Sequence, residues 1–193
     1  MIGKVITSTK TALSIRLASN GELMLNNDLS LSDANIVDGT HLVVVIQIHV
    51  EWYGKVVSQY DISVETTIME LKKKIEKDHA IGMAAEMQEL HFNGKSLDED
   101  QLKLEDYNVP SHGATIIVFT KFQLSVRKDG VSHPFAVHNG MTVGDLEKIV
   151  AQHFGKITTQ IVLDLEGEIL LDDVVLSAVK FEGSELSVSF AKW

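Results

Sequence analysis

Eight histidines, and several runs that mix carboxylates with hydroxyls, are the first candidates for chemistry in this 193-residue chain. His133 and His138 are the nearest histidine pair, five residues apart across an expected hairpin that contains Pro134. A metal site needs a third donor, and no carboxylate–His motif accompanies this pair, so structural or solvated histidines are expected. "NGKS" (Asn93–Ser96) is similar to the end of a phosphate-binding loop, but Glu89 stands where the earlier glycine is required, which leaves a tight turn. "SLDEDQLKLED" (Ser96–Asp106) is acid-rich, yet it lacks the glycine and the terminal spacing of a calcium loop and is expected as a solvated flank. Ser, His and Asp occur without a G-x-S-x-G context. The absence of cysteine removes thiol catalysis, disulfides and cysteine metal sites together. These residue types therefore predict no catalytic constellation, no cofactor, no metal site and no enzyme.

Charge and hydropathy exclude two partner classes. The net charge of −10 disfavours nucleic acid, whose phosphates require a basic surface. The acid is uneven: the segments 1–45, 46–120 and 121–193 carry −1, −6 and −3, so a basic protein partner would feel the middle most. No apolar stretch approaches the ~20 residues that cross a bilayer, and Met1–Leu17 lacks the apolar core of a signal peptide. An intracellular protein, cytoplasmic or nuclear and non-secreted, is expected, with no membrane partner.

The chain repeats. "SNGEL", "FNGKSL" and "LEGEIL" place Gly21, Gly94 and Gly167 at intervals of 73 residues. "SLSDANI", "KLEDYNV" and "VLSAVKF" follow, with Leu31, Leu104 and Leu176 spaced by 73 and 72. A third marker, "HLVVVI", "TIIVF" and "ELSVSF", closes each set. Markers recurring at one period define a repeat protein.

Between these markers the elements are legible. "IQIHVEW" and "FQLSVRK" alternate as half-buried strands do, and "YGK" and Asp129-Gly130 supply hairpin turns. "TTIMELKKKIEKDHAI" predicts an amphipathic helix with Ile68, Leu71 and Ile75 inside and Lys72, Lys73, Lys74 and Glu76 outside. Thr67 with Glu70 forms its capping box. Thr142 and Asp145 match them in the last segment, ahead of an apolar face of Val143, Leu146, Ile149, Val150 and Phe154. A sheet of four or five strands with one helix across it is an α+β architecture.

The order strand–hairpin–helix–strand, then a glycine turn, "LEDYNV" and a closing strand, resembles ubiquitin and ubiquitin-like domains. The resemblance covers residues 46–120 best and residues 121–193 more divergently, while residues 1–45 match only the second half of such a domain. It implies tandem β-grasp units. A conjugatable member needs a tail ending in Gly-Gly, and this chain has no Gly-Gly anywhere and a tail reading "SFAKW". The resemblance therefore implies a non-conjugated, protein-binding or assembly scaffold. A poly-domain modifier or precursor, including the prokaryotic multi-ubiquitin kind, and a structural accessory subunit of a large complex are the alternatives.

The family's apolar binding patch maps to Tyr53, His91 and Phe119 in the middle unit. In the last unit the same positions are Asp129, Asp164 and Ser189, and in the first they include Arg16 and Val45. Tyr53, His91 and Phe119 form the candidate protein-binding face; the other reading is that these aromatics cover the sheet or a neighbouring unit. A half-unit at residues 1–45 lacks its first hairpin and helix, so its open edge predicts a makeshift strand through Val5 and Ile6, a truncated beginning, or a homo-oligomer built by strand addition. At the joints, Leu42, Val44 and Ile46 run in phase into Ile48 and Val50, and Ile116, Val118 and Thr120 into Phe122, Leu124 and Val126. With no Gly, Pro or Ser linker at either place, a stiff rod is expected.

Overall fold

Alternating β-branched residues punctuated by X-Gly turns fold the chain into strands that share one extended sheet. The computed structural model describes residues 16–19, 22–24, 32, 36–110, 113–181 and 186–190. Strands β1 (Arg16–Ser19) and β2 (Glu22–Met24) pair antiparallel, and β1 lies antiparallel against the first residues of β3 (Leu42–Trp52), Arg16 opposite Val45. Val5, Ile6, the side chain of Arg16 and the tail at Trp193 lie outside the described residues.

From β3 onward the architecture is α+β. The rest of β3 turns into β4 (Lys55–Ser63), and helix α1 (Ile68–Glu76), β5 (Gln88–Phe92) and β6 (Lys95–Ser96) follow. The 15-residue β7 (Ala114–Lys128) completes this set. The strand order is β4-β3-β7-β5-β6, with β3 and β7 parallel at the centre. The same order recurs with β8 (Val131–His138), helix α2 (Val143–His153), β9 (Ile161–Leu165), β10 (Glu168–Ile169) and β11 (Leu186–Phe190), giving β8-β7-β11-β9-β10 with β7 and β11 parallel. One helix crosses each five-strand set, the β-grasp arrangement.

The hairpins form where the sequence asks for them. Tyr53-Gly54 has φ of 50° and 71°, and Asp129-Gly130 has 51° and 82°, so each is a two-residue turn with both residues left-handed. The helices start at their capping boxes, Thr67 with Glu70 and Thr142 with Asp145. Ile68, Leu71 and Ile75 are buried with Ile46, Ile48, Val50, Ile116 and Val118 in one core. Val143, Leu146 and Val150 are buried with Leu124, Val126, Phe135 and Leu186 in the other, and Ile149 and Phe154 are half-buried beside them.

Three expectations change. Lys72 is buried, not on the wet face; its ammonium meets Asp100 Oδ1 at 2.6 Å, and its backbone carbonyl accepts from Gln88 Nε2 at 3.0 Å. Pro134 sits inside β8 opposite Ser125 rather than in a hairpin loop. Among the described residues strand β8 pairs only with β7, and an edge strand tolerates proline because no neighbour needs its missing N–H. His133 and His138 therefore sit on one strand with opposite parity and point to opposite faces. In β3, Leu42 is exposed and Val45 is 6% exposed, so the inward alternation holds from Ile46 onward and not from Leu42. In β7 the phase is unbroken: Ala114, Ile116, Val118, Leu124 and Val126 are buried, with Thr120 and Phe122 half-buried between them. Both seams thus lie inside single strands.

Candidate functional site

The three predicted patch residues separate into one exposed residue and two at the second seam. Tyr53 occupies the β3–β4 turn with 64% of its surface exposed, its ring 5.0 Å from that of Trp52. A bulky side chain at φ 50° sits in a region that costs about 1 kcal/mol or more relative to an extended or helical backbone. His91 on β5 and Phe119 on β7 are half-buried. Leu90 and Val118 point into the core, so His91, Glu89 and Phe119, at the alternate positions, lie on the face away from α1. Val45, the first-unit counterpart, is buried and offers no patch.

What covers His91 and Phe119 is the end of β8 and the turn after it. The Phe119 ring stacks on His138 at 4.8 Å with 26° between planes, and His91 meets Phe119 edge-on at 4.9 Å and His138 at 5.2 Å. Beneath the Phe119 ring is Gly140, where an added Cβ would come within 2.2 Å of the ring. Asn139 fastens the same turn: its N–H donates to Thr120 O at 3.0 Å, and its Oδ1 accepts from Thr120 N at 2.9 Å. Between the two sets of strands runs a cleft of about 410 Å³, lined among others by Glu51, Tyr53, Phe119, Gly140 and Val175. Tyr53 and Phe119 thus share a concavity at the seam.

The seam also gathers titratable groups. Glu89 Oε1 lies 3.5 Å from His91 Nε2 and accepts from Ser96 Oγ at 2.7 Å. The His91 contact, more than the Ser96 bond, holds the Glu89 carboxyl down at about 2, against the pull of burial. Burial, reinforced by His91, pushes the His138 imidazole below its ordinary value, and Glu89 and Asp145 oppose this. His138 Nδ1 accepts a long bond from the Gly140 N–H, 3.2 Å. His91 Nε2 is closed to solvent and makes no hydrogen bond, since 3.5 Å to Glu89 is an ion-pair distance and not a bonded one. Donor atoms of Glu89, His91 and His138 lie within 4.8 Å of one another.

The structure sets His133 and His138 apart and brings each to other partners. His138 does not pair with His133; it meets His91 and Glu89, which the register β5–β7–β8 brings across the seam. His133 instead faces His153, Nδ1 to Nε2 at 3.2 Å, within a ring cluster that includes Phe135 and Phe154. The signal that could have found the site was parity, since Glu89 and His91 share a face on either side of Leu90 and the mapped strands put them beside Phe119. "NGKS" forms the β5–β6 turn, and Ser96 serves Glu89. In the acidic run, Asp100 pairs with Lys72, and Asp106 Oδ2 accepts from Lys103 N–H at 2.8 Å. No helix among the described residues is long and apolar enough to cross a membrane.

Comparison with known proteins finds a likeness over part of the chain. The ubiquitin family model matches residues 46–123. A solution structure of the N-terminal ubiquitin-like domain in the 4931431F19Rik protein is 22% identical, covering 38% of this chain and 77% of that one at a TM-score of 0.35. No curated protein matches the chain.

Proposed function

We propose that the chain is a tandem ubiquitin-like protein that serves as a non-enzymatic protein-binding or assembly scaffold and is not conjugated. The observation that carries this reading is β7, a single strand of 15 residues that closes one β-grasp set and opens the next. A precursor destined for cleavage needs an extended, accessible joint. Here Thr120 and Lys121 lie inside paired strand, Thr120 opposite Gln88 and Lys121 opposite His138, and no Gly-Gly lies at either seam. The units are held in a fixed relation, as suits a protein that presents surfaces at set spacing. An intracellular location goes with this role.

The partner contacts Tyr53 and the cleft behind it. Left-handed strain at an exposed aromatic residue has no folding rationale, because Asn or Gly would fit that turn better. Glu51 in the cleft and the charge of −6 over residues 46–120 fit a basic protein segment. A homo-oligomer through the first segment belongs to the same proposal, and light scattering that finds a clean monomer excludes it.

Two experiments test the reading. Quantitative affinity purification of the endogenous chain with Tyr53→Asn should lose its specific partners while the melting temperature rises. Retained partners would remove Tyr53 from the binding face. Incubation with ubiquitin-type proteases and activating enzymes should leave the chain intact and unmodified. Cleavage after Val45 or Thr120 would place it with the poly-domain modifiers instead.

A further inference from the structure

We propose that Glu89, His91 and His138 form a binding site for a divalent transition-metal ion, Zn²⁺ or a neighbour of similar chemistry, which bridges the second seam. Two imidazoles and one carboxylate form a ligand set that suits zinc, cobalt, nickel and copper rather than calcium or magnesium. With bonds of 2.0–2.1 Å, donors along a tetrahedral edge stand about 3.3 Å apart. Glu89 and His91 already hold 3.5 Å, and the outer limit of 4.8 Å leaves an adjustment of about 1.5 Å at most. His91 Nε2 is closed to solvent and meets Glu89 Oε1 at 3.5 Å, longer than a well-formed hydrogen bond, so it can take a closer partner.

The ion would be held from both sides of the seam. Glu89 and His91 come from β5, whereas His138 ends β8. Fully bonded, the site carries two neutral imidazoles and one carboxylate, so a dication leaves a net charge of +1, with waters filling the remaining positions. Binding also has a local signature. His138 Nδ1 accepts the Gly140 N–H. Ligation through Nδ1 takes that lone pair, and ligation through Nε2 moves the ring proton onto Nδ1. Either route breaks the Gly140 bond.

Titration of the chelator-treated, full-length chain with Zn²⁺ by calorimetry tests the proposal. One ion should bind per chain, and Co²⁺ in its place should give the visible absorption of a four- or five-coordinate site. In nuclear magnetic resonance spectra, Zn²⁺ should shift the imidazole signals of His91 and His138 and the amide of Gly140, leaving His133 and His153 unchanged. Glu89→Gln, His91→Gln and His138→Gln should each weaken binding more than ~100-fold, beyond the 10–100-fold that loss of a merely orienting neighbour costs. No binding at micromolar Zn²⁺, shifts at His133 and His153 instead, or variants that bind within ~10-fold of the parent would each overturn it. Should a variant fail to fold, the imidazole signals of the parent chain still decide.

Discussion

Replacing Gly140 by alanine should lock or spring the second seam, and the structure fixes the size of the effect. The new Cβ would stand 2.2 Å from Phe119 Cε1, 2.4 Å from Cδ1 and 2.7 Å from Cζ. Ordinary carbon contacts lie at 3.5–4.0 Å, so the ring must move by more than ~1 Å. It has little freedom to do so, because His138 stacks on one face at 4.8 Å and His91 abuts it edge-on at 4.9 Å. Overpacking of this kind costs about 1–3 kcal/mol, and swinging the ring clear forfeits aromatic contacts worth about 0.5–1.5 kcal/mol. Against this, a Gly→Ala change in an unstrained conformation gains about 0.4–1 kcal/mol through the unfolded chain. The net expectation is a loss of about 1–2 kcal/mol, or roughly 2–8 °C in melting temperature for a chain of this length. The deciding assay is a thermal double-mutant cycle with Phe119→Ala. Removing the ring should make Gly140→Ala neutral or mildly stabilising, which gives a coupling of ~1–3 kcal/mol. A Gly140→Ala protein as stable as the parent, with coupling below ~0.3 kcal/mol, would refute the placement of the ring over Gly140.

The remaining expectations concern buried polar groups. Burial, with Asp172 adding to it, pushes the Glu147 carboxyl above its ordinary value of 4.5, and a Leu163 backbone bond pulls it only part of the way back. Its folded pKa being the higher one, stability falls as pH rises from 4.5 through that value, so Glu147→Gln should raise the melting temperature at pH 7 and leave it unchanged near pH 3. Tyr60 is pushed up to about 12, first by burial and next by donating to Asp78 Oδ2 at 2.5 Å. Its ring resonance should therefore titrate near 12 and shift toward 10.0 in Asp78→Ala, with stability declining as pH climbs between those values. For the Lys72–Asp100 pair at 2.6 Å, Asp100→Ala should cost about 3 kcal/mol in denaturant unfolding, because it strands a buried ammonium. Lys72→Met should cost less, since Asp100 keeps its access to water; the reverse ranking would show that the stem and not the charge matters.

Local signals were legible in the sequence and pairings at long range were not. The capping boxes at Thr67 and Thr142 and the turns at Gly54 and Gly130 use chemistry within three or four residues, so their types announce them. The single phase of β7 could be read off Ile116 to Val126 because alternation needs no partner. Lys72 looked solvated because its run of lysines sits beside it, whereas the acid that accepts it is 28 residues away. The histidine contacts were hidden for the same reason. Proximity in sequence favoured His133 with His138, yet five steps along one strand reverse the face, and the partner that shares a face, His91, arrives only through two strand pairings. The candidate face was half-legible: Tyr53, His91 and Phe119 were picked out by mapped positions, but not that Gly140 and His138 would roof two of them.

The shared strand explains why the seam is the place where chemistry collects. Even-numbered residues of β7 feed both cores, Ile116 and Val118 beside α1, then Leu124 and Val126 beside α2. A strand that keeps its phase leaves its odd-numbered side for the outer face of both sets, so Phe119 and Lys121 continue one surface across the joint. On that surface a unit standing alone would expose His91 and Phe119 to any binder. Here the following turn is drawn against them by Asn139, whose two bonds to Thr120 leave the backbone of Gly140 close enough to exclude a side chain. The outcome is a division of labour within one patch. Two of its residues close the joint and meet a glutamate and a second histidine there, while Tyr53, held in a strained turn at the rim of the same cleft, stays exposed.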